Sequence, residues 1–268
     1  MDNTRMGIPY RPAEEDVCRM LGSARLTAFR PENGDAAKTL DAYRWQMRLE
    51  QALLKPIGIT EVFLRNALDE SICRWWQSQG LPGDWLDGNP GLDVPEPLQS
   101  FMRVRSWRGR ATTNLKTHKT KEQISHDDVI AHMMLGTWRN MIGNPASISR
   151  TPPGDDEKRR SWSSMRESDE RCAALWAEIL HDAFPNMPSK RQRNGMSPRG
   201  YVGSKLTVIA SLRNRVCHWD NLLHVNVPAR YEDMKSIVLA INASCAQWMG
   251  DTVDDELFSV LDDRPEWL

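Results

Sequence analysis

Cysteine is scarce and does not pair in the sequence: Cys18, Cys73, Cys172, Cys217 and Cys245 are odd in number, far apart, and form no Cys-x-x-Cys. That pattern excludes a disulfide framework or a zinc ribbon and predicts buried thiols in a reducing compartment. Long apolar runs are also missing. The longest uncharged stretch, Ser236 to Gly250, contains Asn242, Ser244 and Gln247, and it falls short of the about 20 apolar residues that a membrane span requires. The amino-terminal residues include Asp2, Arg5 and Arg11 without an apolar run, which does not suit a signal peptide. Gly80, Gly83, Gly88 and Gly91 lead to no Gly-Lys-Ser/Thr ending, so a phosphate-binding loop and nucleotide hydrolysis are disfavoured. There is no repeat of 20 to 50 residues and no low-complexity tract, which disfavours solenoids. An excess of one charge is absent too, with 35 Lys and Arg against 36 Asp and Glu. These absences predict a cytoplasmic protein with no membrane partner, whose electrostatic signals are local.

The 268 residues are 40% apolar and 26% charged, which fits one large domain or two small ones with an adequate core. Helical periodicity dominates. Asp35 is a plausible N-cap for a stripe of Leu40, Tyr43, Met47, Leu53 and Leu54. Pro56 and Gly58 should kink or break that helix, and Ile59, Phe63, Leu64, Leu68, Ile72 and Trp75 resume the stripe to Gly80. A proline- and glycine-rich loop follows to residue 97, then a short helix from Pro97 to Trp107. Ser125 or Asp127 should cap a helix carrying Val129, Ile130, Met133, Met134, Trp138 and Met141. The stretch Thr151 to Arg160 reads as a solvated connector, and Glu167 to Ala183 as a helix. Pro198 should open a helix at its first turn, with Leu206, Ile209, Leu212 and Val216 inward. A last long helix is expected from Pro228 to Gly250. No alternating strand pattern occurs, so the predicted class is all-α: a single domain with amino-terminal helices at 12–80, a loop and basic arm at 81–124, a helical core at 125–250 and an acidic tail at 251–268.

The near-zero net charge conceals segregation. Arg103, Arg105, Arg108, Arg110, Lys116, Lys119 and Lys121 lie in a window without one acid, with Trp107 among them. A second acid-free window, Met187 to Trp219, holds Lys190, Arg191, Arg193, Arg199, Lys205, Arg213 and Arg215, whereas residues 251–268 collect seven acids against Arg264. Basic clusters with an embedded aromatic suit a polyanion such as RNA or DNA, whose phosphates they neutralise. Charge alone fits equally a pair of solvated faces answered by the acidic tail.

The second window ends in SLRNRVCHWDNLL, residues 211–223. At about 100° per residue, Thr207, Ser211, Asn214 and His218 share the face opposite the apolar stripe. Arg213 lies roughly 140° around from His218 on an ideal helix, so one copy of the motif converges poorly. Two copies across a helix pair would place two histidines and two arginines around one phosphate. RNA carries its own nucleophile, the 2′-OH, so its cleavage requires a proton acceptor, a proton donor for the departing 5′-oxygen and cations on the phosphorane. Histidine titrates near neutrality and arginine forks two hydrogen bonds to phosphate oxygens. Asn214 would orient the imidazole or the substrate.

Arg213, the polar Asn214, three residues and then His218 resemble the Arg-polar-x-x-x-His motif of HEPN ribonucleases, and LRNRVCH resembles the Abi-like (abortive infection) branch. AYRWQMRLEQALLKPIGITEVFLRNAL at 42–68 is similar to that branch's amino-terminal helical signature, and VIAHMMLGTWRNMI at 129–142 to its central helix. The resemblance implies a HEPN-like helical bundle with additional amino-terminal helices. It also implies a metal-independent endoribonuclease acting as a homodimer in phage defence or as a toxin, with Arg213, Asn214 and His218 catalytic and no cofactor. Glu61, Arg65 and Asn66 of the first signature and Asp220 could support the site, although Glu61 and Arg65 are also spaced to pair on one helix. Relatives often carry a second histidine after the motif, where this chain has Trp219 and Asp220. An antitoxin protein or a non-coding RNA is a further implied partner. The alternatives are a non-catalytic RNA-binding regulator of such a system and a structural helical adaptor.

Other candidates carry less. His118 and His126 lack metal-site spacing and read as surface histidines, Asp127 and Asp128 as helix-start residues, and His132 and His181 as capping or packing residues. No metal is expected. Most of the eleven tryptophans read as core, with Trp107 and Trp219 the better candidates for stacking on a base. Cys217 has no visible activating partner.

Overall fold

Helix periodicity translates directly into the architecture. The structure is a computed structural model that describes residues 13–87, 93–115, 119–149 and 151–268. Its described residues form ten α-helices and no strand: α1 (Glu14–Leu21), α2 (Ser23–Leu26), α3 (Ala36–Ser78), α4 (Val104–Leu115), α5 (His126–Ala131), α6 (Leu135–Ile142), α7 (Asp156–Glu178), α8 (Pro198–Cys217), α9 (Val227–Ile241) and α10 (Ala243–Asp262). None of these helices is long and apolar enough to cross a membrane.

The expected break at Pro56 does not occur. Asp35 caps α3 by accepting from the Lys38 N–H, and the helix then runs unbroken for 43 residues with Pro56 inside it. An interior proline costs about 3 kcal/mol through its missing N–H and its clash with the preceding turn. Here Leu49, Leu53, Ile57, Leu64, Leu68 and Ile72 stay in phase across it and are all buried. At ~1.5–3 kcal/mol for each large apolar side chain buried, burial on both sides of the proline outweighs the local penalty. The Thr60 hydroxyl donates to the Pro56 carbonyl at 2.8 Å.

α3 packs against α9 and α10, and α8 against α9 and α6. One apolar cluster runs through these helices from Trp45 to Leu257. Other boundaries shift from expectation. The basic arm is largely helix α4 rather than loop, and the predicted single helix from 129 to 141 divides into α5 and α6. Ser125 makes a full capping box with Asp128 at the start of α5. α7 begins eleven residues before the expected Glu167, inside the supposed connector. The last helix divides at Asn242, whose side chain caps α10 by accepting from the Cys245 N–H. The acidic tail is therefore helix through Asp262, with Val253 and Leu257 buried. Its ion pairs run from Asp263 to Arg48, Glu256 to Lys55 and Asp254 to Lys235, so among the described residues it answers α3 and α9 rather than the basic windows. Only Cys172 is a buried thiol; Cys217 is exposed and the other three are half-buried.

Candidate nucleic-acid site

Helix α8 starts where proline chemistry predicts: Ser197 caps it by accepting from the Gly200 N–H, and Pro198 takes the first turn. Leu206, Ile209, Leu212 and Val216 are buried, whereas Ser211, Asn214 and His218 are exposed and Thr207 half-buried. The two faces thus follow the sequence period. α8 ends in a Schellman turn, in which the Asp220 N–H donates to the Arg215 carbonyl at 2.9 Å and the Trp219 N–H to the Val216 carbonyl at 3.3 Å. The left-handed residue of that turn is Trp219, at φ +56°. For an L-residue with a bulky side chain this conformation costs about 1–2 kcal/mol.

Three side chains outside the motif hold the turn. The Arg25 guanidinium donates to the Trp219 carbonyl at 2.6 Å. From α3, the Gln46 amide donates to the Asp220 carbonyl at 3.3 Å and accepts from the Leu222 N–H at 2.9 Å. Gln46 also donates to Glu50 Oε1 at 3.0 Å, while Glu50 Oε2 is buried without a hydrogen-bond partner. Burial pushes the Glu50 carboxyl up to about 7; the Gln46 hydrogen bond and the Arg25 charge oppose that rise, and the Asp220 charge adds to it. Sequence reasoning missed Arg25, Gln46 and Glu50, since the backbone groups that Arg25 and Gln46 hold lie some 170 or more residues away and Glu50 joins the turn only through Gln46.

His218 and Asn214 lie side by side at the exposed end of α8, and Arg213 is half-buried nearby on the same turn. None of their side chains is engaged in a hydrogen bond or ion pair with the described residues, which leaves donors and imidazole nitrogens open to a ligand. Trp219 is 40% exposed beside them. Asp220 joins the cluster, contributing its backbone to the turn.

Thr207, the amino-terminal member of the same polar face, lines a cleft of about 790 Å³ between α4, α6, α7 and α8. Arg103, Arg110, Arg139 and Arg171 line it together with Thr207, and among the described residues the one carboxylate in its wall is Asp169. That carboxylate is already paired with Arg199 through two contacts of 2.7 and 3.0 Å. Arg199, buried and bonded also to the Ile142 carbonyl, is a strut between α6, α7 and α8. The Thr207–Ser211–Asn214–His218 stripe thus leads from the arginine cleft to the motif.

The predicted RNA contacts divide accordingly. Arg103 and Arg110 face the cleft, and Lys190 and Arg191 are exposed in the turn before α8. Arg108 turns inward instead, donating to the Leu86 carbonyl at 2.6 Å and to Asp87 at 3.1 Å. Lys119 pairs with Asp128, Lys205 with Asp233, Arg193 bonds to the Pro188 and Met196 carbonyls, and Arg215 to the Asn221 carbonyl at 2.9 Å. The backbone of Arg105 lies in α4, and Lys116 falls outside the described residues. Arg139 and Arg171 were missed because each sits on a helix outside the basic windows. Trp107, at 5% exposure, is core and meets Trp85 edge-on, which corrects its reading as a stacking platform.

Glu61 does not pair with Arg65. It accepts the Leu135 N–H at 3.0 Å, satisfying an open donor at the start of α6. Arg65 Nε is buried without a partner, and Asn66 is exposed on α3.

A second titratable cluster lies at the other end of α3. His126 Nε2 is 2.9 Å from Asp69 Oδ2, its Nδ1 is 2.5 Å from Asp84 Oδ2, and Trp85 Nε1 donates to Asp69 Oδ1 at 2.8 Å. Hydrogen bonds to Asp69 and Asp84 push His126 up to about 10, against the effect of burial. Burial pushes the Cys73 thiol up to about 12, and the charges of Asp69 and Asp84 push the same way. Expected at the surface, His126 is half-buried between two carboxylates. His132 and His181 bond to backbone carbonyls as expected of capping residues. No family model, no curated protein and no solved structure matches the chain.

Proposed function

We propose that the chain is a metal-independent endoribonuclease of the HEPN, Abi-like type, acting in phage defence or as a toxin. The observation that carries this reading is the exposed, capped end of α8, which presents the unengaged side chains of Asn214 and His218 on one face, with the unengaged Arg213 one residue before Asn214. In the reaction, the 2′-oxygen attacks the adjacent phosphorus, its proton passes to one imidazole, and the 5′-oxygen leaves with a proton from a second imidazole. The products are a 2′,3′-cyclic phosphate and a 5′-hydroxyl. The second imidazole comes from a second copy of the motif, since Arg213 and His218 diverge by roughly 140° on one helix. Arg213 stabilises the phosphorane charge, Asn214 orients the imidazole or the substrate, and the arginine cleft holds the flanking phosphates.

Purified wild type and His218→Ala, incubated with end-labelled mixed-sequence RNA in excess chelator, test the proposal. Cyclic-phosphate ends from the wild type and none from the variant are expected, with RNA affinity retained. Equal cutting by both overturns the site. RNA binding without cutting by either favours the second reading, a non-catalytic RNA-binding regulator, for which the arginine cleft alone suffices.

A further inference from the structure

Asp69, Cys73 and His126 gather a carboxylate oxygen, a sulfur and an imidazole nitrogen at one point. Asp69 and Cys73 are four apart on one face of α3, and His126 starts α5, which packs against α4. The Cys73 sulfur lies 3.8 and 3.9 Å from the two Asp69 oxygens. A half-buried thiol more often packs as a small apolar group; this one faces carboxylate. One oxygen, one sulfur and one imidazole nitrogen all lie within 4.8 Å of one another. Ligand atoms around a tetrahedral zinc are separated by roughly 3.3–3.8 Å, from bond lengths of about 2.0–2.3 Å, so small side-chain rotations close the set. We propose that Asp69, Cys73 and His126 bind one divalent ion of the zinc class, with solvent in the fourth position.

The surroundings fit that assignment. Metal-bound histidines commonly give their other ring N–H to a carboxylate, which fixes the tautomer, and Asp84 stands 2.5 Å from Nδ1. Trp85 Nε1 orients Asp69 in the same way at 2.8 Å. The donor set of thiolate, imidazole and carboxylate suits zinc rather than calcium or magnesium, which take oxygen. Binding displaces the proton on His126 Nε2 and that of the thiol, while Nδ1 keeps its hydrogen and donates it to Asp84. Asp69 is 23 residues along α3 from Gln46, about 35 Å at the helical rise, so the ion sits apart from the proposed phosphate chemistry. The ion would join α3 to α5 and, through the packing of α5 on α4, brace the cleft wall that carries Arg110.

Cobalt titration of the full-length reduced protein tests this directly. One equivalent should produce the thiolate-to-cobalt charge-transfer band in the near ultraviolet and the visible bands of a four-coordinate ion, and zinc should abolish both. Cys73→Ser should remove the charge-transfer band, Cys217→Ser should keep it, and Asp84→Asn should weaken binding about 10-fold or more. Independently of any variant, zinc should slow alkylation of Cys73 in the wild type, read by mass spectrometry of that peptide. A missing band at one equivalent, a band that survives Cys73→Ser, or alkylation of Cys73 unaffected by zinc would overturn the site. The metal site stands beside the proposed RNA cleavage, none of whose proton transfers passes through the ion: cobalt and alkylation read the metal site and product ends read the His218 site, so the two proposals fail separately.

Discussion

Replacing Glu50 by glutamine tests how the α8 exit is supported. Glu50 is 2% exposed and one of its oxygens has no partner, so its ionised form is penalised in the folded state. Its carboxyl rises from 4.5 to about 7. At about 1.4 kcal/mol per pKa unit this is on the order of 3 kcal/mol. The sign follows from proton counts: between 4.5 and 7 the folded chain holds a proton that the unfolded chain has lost, so stability falls as pH rises through that window and stays low above it. Glu50→Gln keeps the oxygen that accepts from Gln46 and removes the ionisation. At pH 8 the variant should be more stable by about 3 kcal/mol, a rise in Tm of roughly 6–10 °C for a chain of this size, while at pH 4 the two should coincide. Urea or thermal melts of both proteins from pH 4 to 9 measure this. If Glu50→Gln keeps the wild-type pH dependence, or is the less stable protein at pH 8, the burial argument is wrong.

Further outcomes follow from the same contacts. A Cβ on Gly203 would lie 2.1 Å from the Gly143 carbonyl oxygen, so Gly203→Ala should force α6 from α8 and cost about 1–3 kcal/mol in denaturant unfolding. Arg139→Ala and Arg171→Ala should each weaken RNA binding and reduce the salt slope of log K by about 0.7, read by fluorescence anisotropy at several salt concentrations. Arg108→Ala, which loses bonds to the Leu86 carbonyl and Asp87, should lower stability by about 1–3 kcal/mol and leave that salt slope unchanged. Arg213→Lys should cut RNA far more slowly than wild type at equal RNA affinity, because an ammonium cannot fork two bonds to the phosphorane.

Much of the fold is decided at short range. Ser197 and Pro198 open α8, Asp35 opens α3, Ser125 opens α5, and each did so where capping chemistry places it, because a cap is satisfied by N–H groups two or three residues away. The polar face of α8 was equally legible, since a 3.6-residue period sorts Ser211, Asn214 and His218 from Leu212 and Val216 whatever packs nearby. Pro56 marks where local rules stop. Its penalty is local, but the burial that outweighs it comes from α9 and α10, more than a hundred residues away.

By itself, the sequence determined the all-helical class, the starts of α3, α5 and α8 and the side of α8 on which Asn214 and His218 emerge. Only the tertiary structure decided which cations remain open to a ligand. Arg108, Lys119 and Lys205 look the same in a basic window as Arg103 and Arg110, yet the first three are engaged by Asp87, Asp128 and Asp233. The cleft recruits Arg139 and Arg171 from separate helices, and His126 finds Asp69 and Asp84 at separations of 57 and 42 residues. Charge acts through space at a few ångströms, and the chain's order of residues specifies those distances only after its helices have packed.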